Sequence, residues 1–347
     1  MIQTRPESEI TRLWPGFDPP LVSVRCKTYN HEPYIAQAID SFLMQETRFP
    51  FEVIVHDDAS TDNTANIIRS YAEQYPRILR TVFETENQYS KGIRSTKKTD
   101  SMARGKYLAV CEGDDFWIEP EKLTIQVQCF EDNSDLMVCL HSGKQVFENG
   151  EESGKLISFD GSGDRFLSLN ELIYDFGQNW PTASIMYRKS AVDCPPPFFM
   201  YGRVGRVMSA ALQGQVFYID KPMAVHRSQA KGSWTQRHNA DREFRRRHLF
   251  VMLRMFDEFD QFTQGRYKLA VDYQRQKRIR GFLLRDFDGT NSLAKEQWEC
   301  LRRGASRSTR LLLPVLCLWP RLGRRLLQSS ARFDDRSNGL LQKLQGK

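Results

Sequence analysis

The chain has 347 residues, of which 40% are hydrophobic, 12% aromatic and 27% charged, a globular composition that excludes extended disorder, collagen-like repeats and fibrous coiled coils. No apolar run approaches the roughly 20 residues a membrane-spanning helix needs. The net charge is +7, yet eight arginines and no acidic residue fall between Arg302 and Phe333, so the remainder carries −1 and a nucleic-acid partner is not expected.

The N-terminal segment 1–19 lacks the apolar centre of a secretory leader. The seven cysteines, at 26, 111, 129, 139, 194, 300 and 317, contain no CxxC pair; they suit free thiols packed as small apolar groups, and a cytoplasmic location is expected. In chain order, LVSVR (21–25) predicts a strand. From Asn30 to Gln45, Tyr34, Ile35, Ala38 and Phe42 recur at helical spacing, with Asn30 at the cap. FEVIV (51–55) reads as a buried strand that runs into His56-Asp57-Asp58-Ala59-Ser60-Thr61-Asp62, and a helical pattern resumes through Ala65, Ile68 and Ala72. A strand near 79–83, a polar loop with Gly92 and a helix stopped by Gly105 precede KYLAVC (106–111), the next strand. That strand runs into Glu112-Gly113-Asp114-Asp115-Phe116-Trp117; Pro120 then opens a helix, and LMVCLH (136–141) is one more strand. Residues 142–180 are polar and Gly-rich and read as loops; short strands and a helix over 207–213 follow, then charged helices over 240–300.

Strands alternating with helices predict an α/β fold, a mostly parallel sheet flanked by helices on both faces with a C-terminal helical extension. Ligands of such sheets bind beyond the carboxyl ends of the strands, where Asp57/Asp58 and Asp114/Asp115 fall. GxGxxG and GxxxxGK[ST] are both missing, which excludes a standard dinucleotide or P-loop site. Two carboxylate pairs at neighbouring strand ends suit a divalent cation, Mn²⁺ or Mg²⁺, shared with phosphate oxygens.

The run Val22-Ser23-Val24, Thr28-Tyr29-Asn30-His31-Glu32, then Asp57 to Asp62, then Glu112 to Trp117 resembles a family 2 glycosyltransferase of the GT-A fold, over about residues 20–235. That resemblance implies a nucleotide-sugar donor (usually a uridine diphosphate sugar), an inverting single displacement and a divalent metal. It implies that Tyr29 borders the nucleobase, Asp58 accepts a hydrogen bond from it, Asp114 contacts the ribose or the metal environment, and Asp115 ligates the metal. Arg227 is a candidate for the diphosphate.

The acceptor side resembles the family through Asn179 to Arg188 and Tyr218 to Arg227, followed by a loop with Gly232-Ser233-Trp234. Where the related proteins carry Gly-Asp, whose Asp is their expected general base, this chain has Gly202-Arg203, and Gly214 closes the following helix. An arginine cannot act as a base near neutral pH. Asp193 or Asp220 can supply the carboxylate, His226 can replace it, or the protein binds a nucleotide sugar without turning it over.

The expected organisation is an N-terminal segment (1–19), a glycosyltransferase domain (20–236) with a nucleotide-binding half (20–141) and an acceptor half (142–236), a helical region (237–301) and a basic amphipathic tail (302–347). The tail contains LLLPVLCLWP (311–320), flanked by arginines, which suits an anionic membrane surface through residues 302–333 with Trp319 at headgroup depth. The expected activity is metal-dependent transfer of a sugar to a hydroxyl of a glycan or lipid-linked glycan.

Overall fold

Alternation within one strand sets the two faces of this molecule. In β1 (Val22–Thr28) the side chains of Val22, Val24 and Cys26 enter the apolar core, where they meet Val53 and Val55 of β2 (Phe51–Asp57). Ser23, Arg25 and Lys27 take the other face, which is also covered. There Ser23 Oγ donates to Glu52 Oε1 (2.7 Å), Arg25 donates to Asp100 Oδ1 (2.5 Å), and Lys27 Nζ donates to Thr96 Oγ1. Asp100 and Thr96 belong to the helix Thr96–Met102. One face of the strand is therefore apolar and the other buried but ionic.

The computed structural model describes residues 5–318 and 325–328, apart from 94, 160, 162, 197–201, 232, 288–292 and 294. The chain forms two compact units, Met1–Arg237 and His238–Lys347. In the first, β3 (Leu79–Phe83), β4 (Tyr107–Glu112), β5 (Phe116–Trp117), β6 (Leu136–Val146), β7 (Glu152–Ile157), β8 (Arg165–Leu167), β9 (Met186–Arg188) and β10 (Gln215–Arg227) join β1 and β2 in one sheet of order β3-β2-β1-β4-β9-β6-β10-β5. Strands β3 to β4 in that order run parallel, β9 enters antiparallel, and β6 and β10 are again parallel to each other.

The helix Ile35–Leu43 buries Ile35, Ala38, Ile39 and Phe42, and the Phe42 ring meets Trp117 edge to face at 4.8 Å. Asn30 does not cap this helix. It sits in the left-handed region (φ 53°), and its Oδ1 accepts from Thr61 N–H (2.8 Å), while Glu32 and Asp62 exchange backbone bonds with each other's loops. The loop after β1 is thereby laced to the loop after β2. Residues 142–180 also depart from the expected loops: β6 continues to Val146, β7 and β8 add to the sheet, and Leu169–Asp175 is a helix opened by a Ser168/Glu171 capping box. The helix expected over 207–213 spans Gly202–Ala211.

In the second unit, Arg242–Phe262 and Lys268–Arg285 are the long helices, with Met252, Phe256, Phe259, Val271, Ile279 and Leu283 buried. Arg245 makes a two-pronged pair with Asp286 (2.6–3.0 Å). Shorter helices cover Lys295–Gly304 and Arg307–Leu318, the latter with Pro314 inside it. Among the described residues no helix is long and apolar enough to cross a membrane. Trp319, Arg321, Arg324 and Arg332, on which the membrane expectation partly rests, lie outside the described residues, as does Gly232. Cys26, Cys111, Cys129, Cys139, Cys194 and Cys300 are free thiols; Cys194 is exposed rather than packed, whereas Cys26, Cys111 and Cys139 are buried.

Candidate active site

Strand register gathers the acidic clusters. Thr28 pairs with Asp57 and Lys27 with Glu112, so the loops after β1, β2 and β4 emerge at one rim of the sheet. Asp58 N–H donates to Thr28 O (3.0 Å), which sets Asp58 beside Tyr29, and Gly113 N–H donates to Lys27 O (2.9 Å). The short antiparallel pairing of β5 with β10, Phe116 against Val225, delivers His226 and Arg227 to the same rim. Gly113 is required there: a Cβ would lie 2.8 Å from Thr28 Cβ and Oγ1 and 3.0 Å from His31 Nδ1. Only a glycine lets the acidic turn lie this close to β1.

The acids in that turn have different surroundings. Asp115 is 1% exposed and accepts from Arg227 N–H (2.9 Å) and His226 Nδ1 (3.1 Å). A carboxylate only accepts, so His226 Nδ1 carries the proton and Nε2 is the lone-pair nitrogen of the neutral ring. The Asp115 charge raises the His226 pKa above its ordinary value against the effect of burial. Asp114 faces the cleft, its Oδ2 3.9 Å from His31 Nε2, and burial followed by the Asp115 charge pushes its carboxyl up to about 7. Glu112 is open to solvent at the cleft floor, and enclosure by the surrounding walls, then Asp114 and Asp115, pushes its carboxyl up as well. Burial holds His31 below its ordinary pKa. Asp115, with two protein donors and little exposure, fixes the end of β10 to the acidic turn. The less buried carboxylates of the turn are Glu112 and Asp114, and Asp115 is the enclosed one.

Asp58 is 7% exposed, and its carboxylate accepts from Gln88 N–H (2.8 Å) and Tyr89 N–H (3.0 Å), so it shapes the loop after β3. Arg227, the candidate for the diphosphate, is engaged within the protein. It is 5% exposed, with Nε on Asp114 O (3.3 Å), NH1 on Glu148 O (3.1 Å), NH2 on Gln37 Oε1 (2.7 Å) and its guanidinium 4.7 Å from the Tyr34 ring centroid.

Of the three candidate bases only His226 reaches the rim. Asp193 follows β9, which leaves the sheet at the opposite end from the acidic turn because Arg188 pairs with Tyr107, and Lys189 Nζ engages both of its oxygens (2.7 and 2.9 Å). Asp220 lies seven residues before the end of β10 and accepts from Gly163 N–H (3.1 Å). Arg203 projects from the first turn of the helix Gly202–Ala211. It donates to Gly177 O (2.7 Å), Thr182 Oγ1 (3.2 Å) and Trp180 O (3.3 Å), with its guanidinium 5.0 Å from the Trp180 ring centroid. Trp180 is fully buried against Arg203, while Trp234 is 46% exposed.

His31 and Lys27 were missed by sequence reasoning, and Glu112 received no role there. Lys27 had a readable signal: it and Arg25 place charges at alternate positions of an otherwise apolar strand. His31 had none, because its proximity to Asp114 arises only from the close packing at Gly113.

The family model described as Glycosyl transferase family 2 matches residues 23–194. An uncharacterized protein of Mycobacterium tuberculosis is 36% identical over 230 residues, which cover 64% of this chain and 63% of that protein. The chain thus spans about 63% of the length of these curated relatives. An uncharacterized glycosyltransferase of Nostoc sp. is 28% identical over 181 residues, covering 50% of this chain and 52% of the relative. Among solved structures, TarS 1–349 of S. aureus in complex with UDP-GlcNAc superimposes with a TM-score of 0.58 at 20% identity, covering 90% of this chain and 92% of that one. This likeness establishes the fold.

Proposed function

Since residues 23–194 make this chain a member of glycosyltransferase family 2, we propose that it transfers a sugar from a nucleoside diphosphate donor, with inversion and with the help of a divalent cation. The observation that carries this reading is the convergence of Tyr29, Asp58, Glu112, Asp114 and His226 at the carboxyl ends of β1, β2, β4 and β10. In this reading residues 20–141 handle the nucleotide and 142–236 the acceptor.

The donor set fits Mn²⁺ or Mg²⁺. Asp114 carries a carboxylate destabilised by its acidic neighbours, a condition that a cation relieves, and His226 offers Nε2 with its tautomer fixed by Asp115. Two protein ligands suffice where diphosphate oxygens and water complete the shell. When bound, the cation offsets charge that builds on the departing diphosphate. Asp115 and Arg227 hold the acidic turn and the end of β10 in register. Tyr29 borders the base, and Asp58 fixes the loop carrying Gln88 and Tyr89 while keeping lone pairs for a base N–H. The tail helix Arg307–Leu318 presents Leu311, 78% exposed, among arginines and is read as resting on an anionic membrane; co-sedimentation with anionic but not zwitterionic vesicles tests this.

Thermal unfolding with UDP, GDP or CMP, each with Mn²⁺ and with EDTA, tests the donor site. A nucleotide at 100 times its Kd stabilises by about 2.7 kcal/mol, and that gain should disappear in EDTA. A second reading, a donor-binding protein without turnover, is favoured by Arg203 at the expected base position. Activity that arises only in Arg203→Asp would support it.

A further inference from the structure

Two thiols meet where the helix Lys122–Asp132 packs on β6. That helix lays Gln126 against the strand, and Gln126 Nε2 donates to Cys139 O (3.2 Å) and to Ser184 O (2.9 Å). Cys129 follows three positions later on the same side of the helix, partly buried at the edge of the core, whereas Cys139 is wholly enclosed. The two side chains are hydrogen-bonded, Cys139 donating to Cys129. That bond holds the Cys129 thiol below its ordinary pKa, against partial burial and the charges of Asp164 and Asp132. Burial, then the same bond, pushes the Cys139 thiol well up. The pair is therefore asymmetric: one sulfur is partly exposed and readily ionised, and the other is dry, protonated and already in contact with it. Cys26 and Cys111 offer the contrast. They face each other across β1 and β4, but both are fully buried, and burial pushes both thiols up.

We propose that Cys129 and Cys139 form a reversible oxidation site, in which a peroxide oxidises Cys129 and Cys139 closes a disulfide onto it. The inference is independent of the nucleotide-sugar reading above. The Cys129 thiolate attacks one peroxide oxygen and the O–O bond breaks. The other oxygen leaves as hydroxide and takes up the proton that Cys129 released, so a sulfenic acid and one water result. The Cys139 sulfur then attacks the Cys129 sulfur, the S–O bond breaks, and the departing hydroxyl leaves as a second water with the Cys139 proton. Two thiols have lost two electrons, and hydrogen peroxide has been reduced to two waters. Because the partner sulfur is in place before oxidation begins, the second step outruns further oxidation of Cys129 to a sulfinic acid, which would put a charge at the edge of the core.

The test treats the full-length protein with excess hydrogen peroxide, quenches it, unfolds it in alkylating buffer and maps every thiol by mass spectrometry. No Lys or Arg lies between Lys122 and Lys144, so trypsin releases both cysteines in one peptide, and cleavage after Glu131 separates them. The expected result is a peptide lighter by two hydrogens, whose halves stay joined after cleavage at Glu131 and part in dithiothreitol. Cys26 and Cys111 should remain alkylatable. In Cys139→Ala, Cys129 should be captured by dimedone as the sulfenic acid and should reach the sulfinic acid in at least about 10-fold larger yield than in wild type. Cys129→Ser should leave Cys139 reduced at a peroxide concentration that closes the bond in wild type. The wild-type map decides the matter by itself if a variant fails to fold. Sulfinic Cys129 beside a free Cys139, a bond from Cys129 to any other cysteine or to a second chain, or survival of both thiols in excess peroxide overturns the inference.

Discussion

Replacing Asp114 and Asp115 one at a time by Asn should move stability in opposite directions, although the two are adjacent and carry the same charge. Asp115 is 1% exposed and receives Arg227 N–H at 2.9 Å and His226 Nδ1 at 3.1 Å. Hydrogen bonds to a charged group contribute about 1.5–3 kcal/mol each, and an amide keeps one acceptor oxygen but sets its NH₂ against a donor. Asp115→Asn should therefore cost about 2–4 kcal/mol, or roughly 5–15 °C for a unit of this size. Asp114 is held up at about 7, against an ordinary carboxylate value of about 3.9, so neutralising it removes an unfavourable charge at pH 7.5. At 1.36 kcal/mol per unit, reduced because Asp115 shares the effect, Asp114→Asn should stabilise the metal-free protein by about 2–4 kcal/mol. The same variant should lose Mn²⁺-dependent nucleotide binding. Denaturant unfolding with EDTA and calorimetric titration of nucleotide with Mn²⁺ read the two effects separately. An Asp115→Asn protein as stable as wild type but unable to bind metal and nucleotide, beside an Asp114→Asn protein that binds normally, would refute the reasoning.

Gly113→Ala should destabilise by about 1–3 kcal/mol and weaken nucleotide binding, because its Cβ meets Thr28 at 2.8 Å and the acidic turn must lift from β1; urea unfolding checks it. Mn²⁺-dependent nucleotide affinity should fall about 10-fold or more per pH unit below pH 7, since Asp114 near 7 and a raised His226 must shed protons to bind the cation; titration in buffers of different ionisation enthalpy should detect the released protons. Lys122 is fully buried over Trp117, with a pKa pushed down to about 7 by burial. Its folded value lies below its unfolded value near 10.4, so the unfolded chain holds the extra proton between those limits and stability rises with pH there. Relative to wild type, Lys122→Met should flatten that rise by roughly 2–4 kcal/mol between pH 7 and 10, as followed by denaturant melts.

Periodicity made the fold legible where burial is simple. Val22, Val24, Val53 and Val55 announce β1 and β2, and the spacing of Ile35, Ala38 and Phe42 announces the helix after β1. It failed over 142–180 because β7 is largely exposed and β8 has three residues, so neither shows an apolar run. Ser168-Leu169-Asn170-Glu171 did carry a capping-box signature that was open to reading. Asn30 misled because a cap and an αL corner favour the same residue, and which one forms depends on a partner loop thirty-one positions away. At the site, the clusters that converge were visible, but the division of labour within them was not. Whether Asp114 or Asp115 faces the cleft is decided by the β5–β10 pairing, a contact between segments more than a hundred residues apart.

Arg227 joins the acidic turn, the helix Ile35–Leu43 and the segment after β6, and at the last of these it touches backbone carbonyls of Phe147 and Glu148 only. A contact made to a carbonyl is indifferent to the side chain that carries it. Phe147, Glu148, Asn149 and Glu151 line a hollow with Ser228 and Gln229, directly beyond the residues that keep Asp115 in place. The rim of the molecule can thus drift in sequence at Phe147 and Glu151 while its floor stays in register. Glu148, whose carboxylate accepts from the Tyr34 hydroxyl, Asn149, whose amide oxygen accepts from Glu151 N–H, and Gly150, at φ 88°, are held by their own geometry. Positions 147 and 151 are therefore the tolerant places for selection, natural or in a library, to vary what the protein accepts.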